Sequence, residues 1–199
     1  MRQGAGSRCG SVPSASKRHA VFLDRDGTIA DEVGYVNHIT RFEVFPYAAA
    51  AIRRLNEARI PVIVVTNQSG IARGFFPESL VAEIHEKMKA HLSASGAHVD
   101  GIYYCPHIRE NNCRCRKPLT GMLEQAAKEH NLELAGSTLV SDRYDDISMA
   151  QSVGARGILV LTGYGHGEHE WNRSRWPRMP DYVVEDLAAA VAVVLKGAK

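Results

Sequence analysis

Short runs of apolar residues alternate along the chain with stretches in which apolar positions recur every three to four residues. The first run, Ala20-Val21-Phe22-Leu23, has no polar residue to face water, which describes a strand buried on both faces. Residues 60–65 and 157–161 read the same way, and shorter strands are expected at 100–105, 138–141 and 182–184. Between them, Ala48, Ile52 and Leu55 follow Pro46 at helical spacing. Leu80, Ile84, Met88 and Leu92 predict a helix over 77–94, entered through Pro77 and left at Gly96. Further helices are expected over 120–130 and 145–153, with a closing helix rich in Ala and Val.

Strand and helix alternating in this way predict an α/β fold, a Rossmann-like parallel sheet with helices on both faces. Residues 29–45 carry no sustained period and are expected to form a short hairpin or flap beside the first strand. Residues 163–180 are the longest late stretch without a period and are expected to be a surface loop able to fold over the site.

Composition narrows the picture. At 199 residues the chain fits one domain, and its net charge of +2, with basic residues scattered, gives no reason to expect nucleic acid or membrane as a partner. No apolar run approaches the roughly 20 residues that a membrane span needs. Residues 1–18 lack the apolar centre of a secretory signal and are expected to be a disordered arm, leaving 19–199 as the folded domain and the cytoplasm as its compartment. A monomer is expected.

Chemistry enters where the strands end. Asp24 is the first residue past the first strand, and Asp26 follows before Gly27 turns the chain. In an open parallel sheet ligands bind at the carboxyl ends of the strands. An ordinary aspartate is ionised at neutral pH and can attack an electrophile, while a second carboxyl can protonate a poor leaving group. The other reading of Asp24 and Asp26 is two turn carboxylates. Thr66 to Gly70 ends the next strand in hydroxyls, amides and a turn that can present backbone N–H groups to phosphate, or is an ordinary polar turn. Lys117 offers a cation, or a solvated surface charge. Asp142 ends a further strand and can share a hard divalent cation with Asp24, whereas Asp145 and Asp146 are equally plausible helix caps.

Cys105, His107, Cys113 and Cys115 supply three thiolates and an imidazole within a short loop, enough to close a tetrahedral Zn²⁺ site with no open position, hence a structural one. Cys9, in the arm, is expected to be a free thiol. His166, Glu168, His169 and Glu170 are not expected to form a second metal site. His38, His85, His91 and His130 show no ligand spacing and are expected at the surface. Trp171 and Trp176 are packing anchors or an oligomer contact.

In order, Asp24-Arg25-Asp26-Gly27-Thr28, Thr66-Asn67-Gln68-Ser69-Gly70, Lys117 and Asp142 resemble the four motifs of the haloacid dehalogenase superfamily. Gly34-Tyr35-Val36, the run from Thr66 to Gly74 and the run from Asp100 to His107 further resemble the D-glycero-D-manno-heptose 1,7-bisphosphate 7-phosphatases. The resemblance implies a fold without a large cap domain, a zinc-binding loop partly taking its place, and a small phosphorylated sugar as substrate. It implies Asp24 as nucleophile, Asp26 as general acid/base, and Thr66 and Lys117 as stabilisers of the phosphoryl group. Mg²⁺ would be held by Asp24, the Asp26 carbonyl and Asp142. Glu32, Val33, Gly34, Tyr35, Asn67, Gln68, Ser69, Arg116 and Arg143 would touch substrate. Two features depart from the pattern. Ser141-Asp142-Arg143 stands where Gly-Asp-Lys is usual, and the short gap from His107 to Cys113 is similar to the histidinol-phosphate phosphatases, which are the runner-up. A non-catalytic zinc or phospho-ligand module is a further alternative, and the DNA 3′-phosphatase relatives are disfavoured by the lack of a basic stripe.

Overall fold

Alternation inside the apolar runs divides their side chains between two layers. The computed structural model describes residues 16–197, so the arm before residue 16, Cys9 included, lies outside the described residues. In β1 (Val21–Leu23), Val21 and Leu23 enter one apolar layer and Phe22 the other. In β2 (Val62–Asn67), Val62 and Val64 join the first and Ile63 and Val65 the second. Strands β3 (Gly101–Cys105), β4 (Thr138–Ser141), β5 (Arg156–Val160) and β6 (Tyr182–Val184) complete a six-stranded sheet. All neighbours run parallel, in the order β3-β2-β1-β4-β5-β6.

Helices α1 (Ala48–Glu57) and α2 (Glu78–Ala94) bury their apolar stripes on the layer of Val21 and Leu23. Helices α3 (Gly121–Glu129) and α4 (Tyr144–Ser152) cover the layer of Phe22. A short turn α5 (Gly165–Gly167) precedes β6, and the closing helix α6 (Leu187–Gly197) returns to the first layer beside α1. Each large apolar side chain so buried contributes roughly 1.5–3 kcal/mol. From β1 the chain steps outward to β2 and β3, then crosses back to β4 on the other side of β1. Such a reversal opens a crevice at the carboxyl ends of the two central strands. Asp24 follows β1 and Asp142 follows β4, so both carboxylates stand at that crevice.

Three expectations change. Residues 29–45, expected as a short hairpin or flap, take the flap form and not the hairpin. They make a loop closed by one antiparallel bridge between Ala30 and Val44, with a helical turn over Ile39–Arg41 inside it. Arg41 supplies what strand pairing would have supplied, its guanidinium donating to the carbonyls of Val33 (3.0 Å) and Tyr35 (3.1 Å). Much of the 163–180 segment is helical, continuing from α5 through turns over Glu168–Asn172 and Arg173–Arg175. It lacks apolar periodicity because few of its residues reach the core: Trp176 stacks on Tyr144 with centroids 4.4 Å apart, while Trp171 is 71% exposed. Finally, His85 is buried in α2 instead of lying at the surface.

Candidate active site

Asp24 leaves β1 with its N–H still donating to Val140 of β4, which fixes its backbone at the sheet edge. Its Oδ1 accepts from the Arg25 N–H at 2.8 Å and lies 2.9 Å from Lys117 Nζ. That ammonium is buried, donates to the Val65 carbonyl at 3.2 Å, and lies 2.5 Å from Asp146 Oδ2. Burial alone would pull Lys117 towards its neutral form; Asp146 and Asp24 outweigh burial and hold it charged, above its ordinary range. Ser141, expected only as a departure from pattern, donates to Asp146 Oδ2 at 2.8 Å.

Asp26 sits against Arg25, whose Nε and Nη2 reach its two oxygens at 3.0 and 2.7 Å. Gln68 donates to Asp26 Oδ2 at 3.0 Å and to Thr66 Oγ1 at 2.9 Å, joining the second strand end to the first. Asn67 uses both ends of its amide on the Lys117 backbone, accepting from its N–H (3.1 Å) and donating to its carbonyl (3.2 Å). The Gln68 N–H, one of those available for phosphate in the sequence reading, donates instead to the Cys105 carbonyl at 2.7 Å.

Asp142 is fully buried, and Gly27 and Gly163 pass so close that a Cβ on either would collide with its carboxylate. Its Oδ2 accepts the Tyr164 N–H at 2.8 Å, but its Oδ1 is buried with no hydrogen-bond partner among the described residues. Burial first, and then the Asp24 carboxylate, push Asp142 up to about 8. An orphaned carboxylate oxygen beside a second carboxylate fits a hard divalent cation with oxygen ligands.

Above these groups lies a cleft of about 350 Å³. Its lining includes Asp24, Asp26, Glu32, Gly34, Tyr35, Thr66, Asn67, Gln68, Ser69, Arg116, Lys117 and Arg143. Val33, expected among them, does not line it; its carbonyl is engaged by Arg41. Asp142 lies beneath the cleft and not on its surface. Sequence reasoning missed Asp146, Arg109 and Tyr164, which also line it. Tyr164 has its ring 3.7 Å from the centre of the Arg143 guanidinium. Glu32 is raised from the ordinary carboxylate range, chiefly by burial.

Beside the cleft, Cys105, His107, Cys113 and Cys115 bring one ligand atom each to within 4.8 Å of one another. Separations of 3.2–3.6 Å link Cys105 Sγ to the other three ligand atoms. Zn–S bonds of about 2.3 Å give tetrahedral edges of about 3.8 Å, so the donor set and its size fit Zn²⁺. Arg116 donates to the His107 carbonyl at 3.0 Å, tying this loop to the cleft wall.

The parallel sheet, the paired strand-end carboxylates and the buried Lys117 define a phosphatase of the haloacid dehalogenase class. Residues 114–190 match the family described as HAD-hydrolase-like, and residues 20–144 match the polynucleotide kinase 3 phosphatase family. The chain belongs to the D-glycero-D-manno-heptose-1,7-bisphosphate 7-phosphatase family. It is 40% identical over 185 residues to the enzyme of that name from Thermosynechococcus vestitus, covering 87% of this chain and 94% of the relative. It is 42% identical over 153 residues to the Yersinia pestis enzyme, covering 72% and 81% of the two chains. The crystal structure of D,D-heptose 1,7-bisphosphate phosphatase from B. bronchiseptica, complexed with magnesium and phosphate, superposes with a TM-score of 0.82 at 35% identity, covering 90% of this chain and 99% of that one.

Proposed function

We propose that this enzyme removes the 7-phosphate of a D-glycero-D-manno-heptose 1,7-bisphosphate through an aspartyl-phosphate on Asp24, in the making of nucleotide-activated heptose. The observation that carries the reading is the buried Lys117 ammonium 2.9 Å from Asp24 Oδ1, a cation placed where a phosphoryl group would meet the nucleophile. It is supported by the family to which the chain belongs and by Asp26 two residues away.

In the first step a carboxylate oxygen of Asp24 bonds to phosphorus while the bond from phosphorus to the sugar oxygen breaks, and Asp26 gives its proton to that oxygen. In the second, Asp26 takes a proton from water as the water attacks phosphorus and the Asp24–phosphorus bond breaks, returning the enzyme and releasing phosphate. Lys117 and the Thr66 hydroxyl stabilise the transferring group. Arg116 and Arg143 carry the positive charge that discriminates a second anionic group on the substrate, with Glu32, Gly34, Tyr35, Gln68 and Ser69 lining the remaining contacts. Asn67 acts by holding the Lys117 backbone.

Asp24, Asp142 and the Asp26 carbonyl would hold Mg²⁺, which when bound neutralises charge on the phosphoryl oxygens. Cys105, His107, Cys113 and Cys115 would hold a structural Zn²⁺ that fixes Arg116. The reading takes residues 19–199 as one phosphatase domain, acting as a cytoplasmic monomer without nucleic acid or membrane. The test is phosphate release from heptose 1,7-bisphosphate and from histidinol phosphate, with Mg²⁺ and with excess chelator. A large kcat/KM preference for the heptose, lost on chelation, is expected; preference for histidinol phosphate would overturn the substrate assignment.

A further inference from the structure

Arg25 is wholly buried beside the two catalytic carboxylates, yet no step above uses it. Two of its nitrogens grip Asp26, at 3.0 and 2.7 Å, and this is its one ion pair among the described residues. Its third, Nη1, lies 3.4 Å from His85 Nε2 on α2, and the Phe42 ring packs 5.5 Å from the guanidinium carbon. A guanidinium only donates, so His85 Nε2 must accept, which requires a neutral ring with its proton on Nδ1. Burial first, and then the Arg25 charge, lower His85 to about 4, which keeps it neutral at physiological pH. His85 thus fixes the far side of a fork whose near side sets where the Asp26 carboxyl points.

We propose that Arg25 and His85 are positioning residues that aim Asp26 at the leaving oxygen. This rests on the reading of Asp26 as general acid. Its consequence depends on the leaving group. A sugar alkoxide leaves poorly unless protonated, whereas p-nitrophenolate is stable enough to leave without an acid. Mis-aiming Asp26 therefore slows the first step selectively for sugar phosphates, which kcat/KM reports. The second step, with Asp26 as base, is common to both substrates, and a looser fold lowers kcat/KM for both alike. Binding of the phosphoryl group does not involve the fork, so the selective loss falls on the first chemical step, which kcat/KM reports without the second.

The experiment compares kcat and KM on heptose 1,7-bisphosphate and on p-nitrophenyl phosphate for the wild type, His85→Phe, His85→Gln and Arg25→Lys, with Asp26→Ala as reference. Phe keeps the ring without the acceptor; Gln restores an acceptor in its amide oxygen; Lys keeps the charge without the fork. His85→Phe is expected to lower kcat/KM on the sugar phosphate about 10- to 100-fold, and on the aryl ester by less than about 3-fold. His85→Gln recovers most of the loss, and Arg25→Lys, which serves if His85→Phe does not fold, shows the same selectivity. Equal losses of kcat/KM on both substrates, or Gln no better than Phe, would overturn the proposal while an Asp26→Ala selective in kcat/KM left the acid role of Asp26 standing. An unselective Asp26→Ala would remove that role, and the proposal with it.

Discussion

Lys117 Nζ lies between Asp24 Oδ1 and Asp146 Oδ2, at 2.9 and 2.5 Å, so one buried ammonium joins the end of β1 to the first turn of α4. Removing Asp146 leaves Lys117 paired with Asp24 but takes away a buried charge-assisted acceptor of both Lys117 and Ser141, at a cost of about 1.5–3 kcal/mol. Asp146→Ala is therefore expected to lose stability of that order. It should also lose about 10- to 100-fold in kcat, because Lys117 is no longer held opposite Asp24, the proposed nucleophile. Urea denaturation and steady-state kinetics check both, and an unchanged midpoint would contradict the role given to Asp146.

The stack of Arg143 on Tyr164 makes the segment after β5 part of the cleft wall. A cation over an aromatic face contributes about 0.5–2 kcal/mol, so Tyr164→Ala is expected to raise KM for the bisphosphate by roughly 2- to 30-fold. Tyr164→Phe, which keeps the ring, should restore it. A KM unmoved by Tyr164→Ala would mean that Arg143 needs no such support.

Asp142 gives a pH dependence with a definite sign. Its folded pKa, about 8, lies above the ordinary 3.8, so the metal-free folded protein keeps a proton that the unfolded chain has released. Metal-free stability from this group is present at low pH and is lost as pH rises from about 4 to 8. A cation competes with that proton. The rise in Tm on adding Mg²⁺ should then be larger at pH 8 than at pH 5.5, measured by differential scanning calorimetry; equal rises would contradict the proposed ligand role of Asp142.

Verified removal of the proposed zinc should lower Tm, because a metal on Cys105, His107, Cys113 and Cys115 would cross-link the loop. The bond from Arg116 to the His107 carbonyl transmits that loosening to the cleft, so KM for the bisphosphate should rise before kcat falls. An unchanged Tm after zinc removal would count against a structural site.

Much of this architecture is legible in the sequence. The run from Ala20 to Leu23 is too apolar to be anything but a central strand, and its abrupt end places Asp24 at the sheet edge. The cluster of Cys105, His107, Cys113 and Cys115 is legible too, since its four side chains lie within eleven consecutive residues. Contacts that need tertiary register are not legible. Asp146 meets Lys117 only because β1 and β4 are neighbours, so from sequence it reads equally well as a helix cap. Arg25 stands between two acids, where a solvated side chain is the ordinary expectation, and burial is tolerable only because Asp26 pairs with it. His85 left a usable signal: with Val81, Ile84, Met88 and Leu92 it completes a wide stripe on α2 that a stricter four-residue spacing overlooks. The loop over 29–45 resembled a hairpin in composition, but Arg41 satisfies its carbonyls from outside any ladder.

The most direct test of the account is the position from which phosphate is lost, read by ³¹P NMR during turnover of D-glycero-D-manno-heptose 1,7-bisphosphate with Mg²⁺. The account predicts that the 7-phosphate signal disappears into inorganic phosphate while the anomeric 1-phosphate persists in the product, and that Asp24→Asn shows no turnover. Heptose 7-phosphate as the product, or turnover in the Asp24→Asn enzyme, would contradict it.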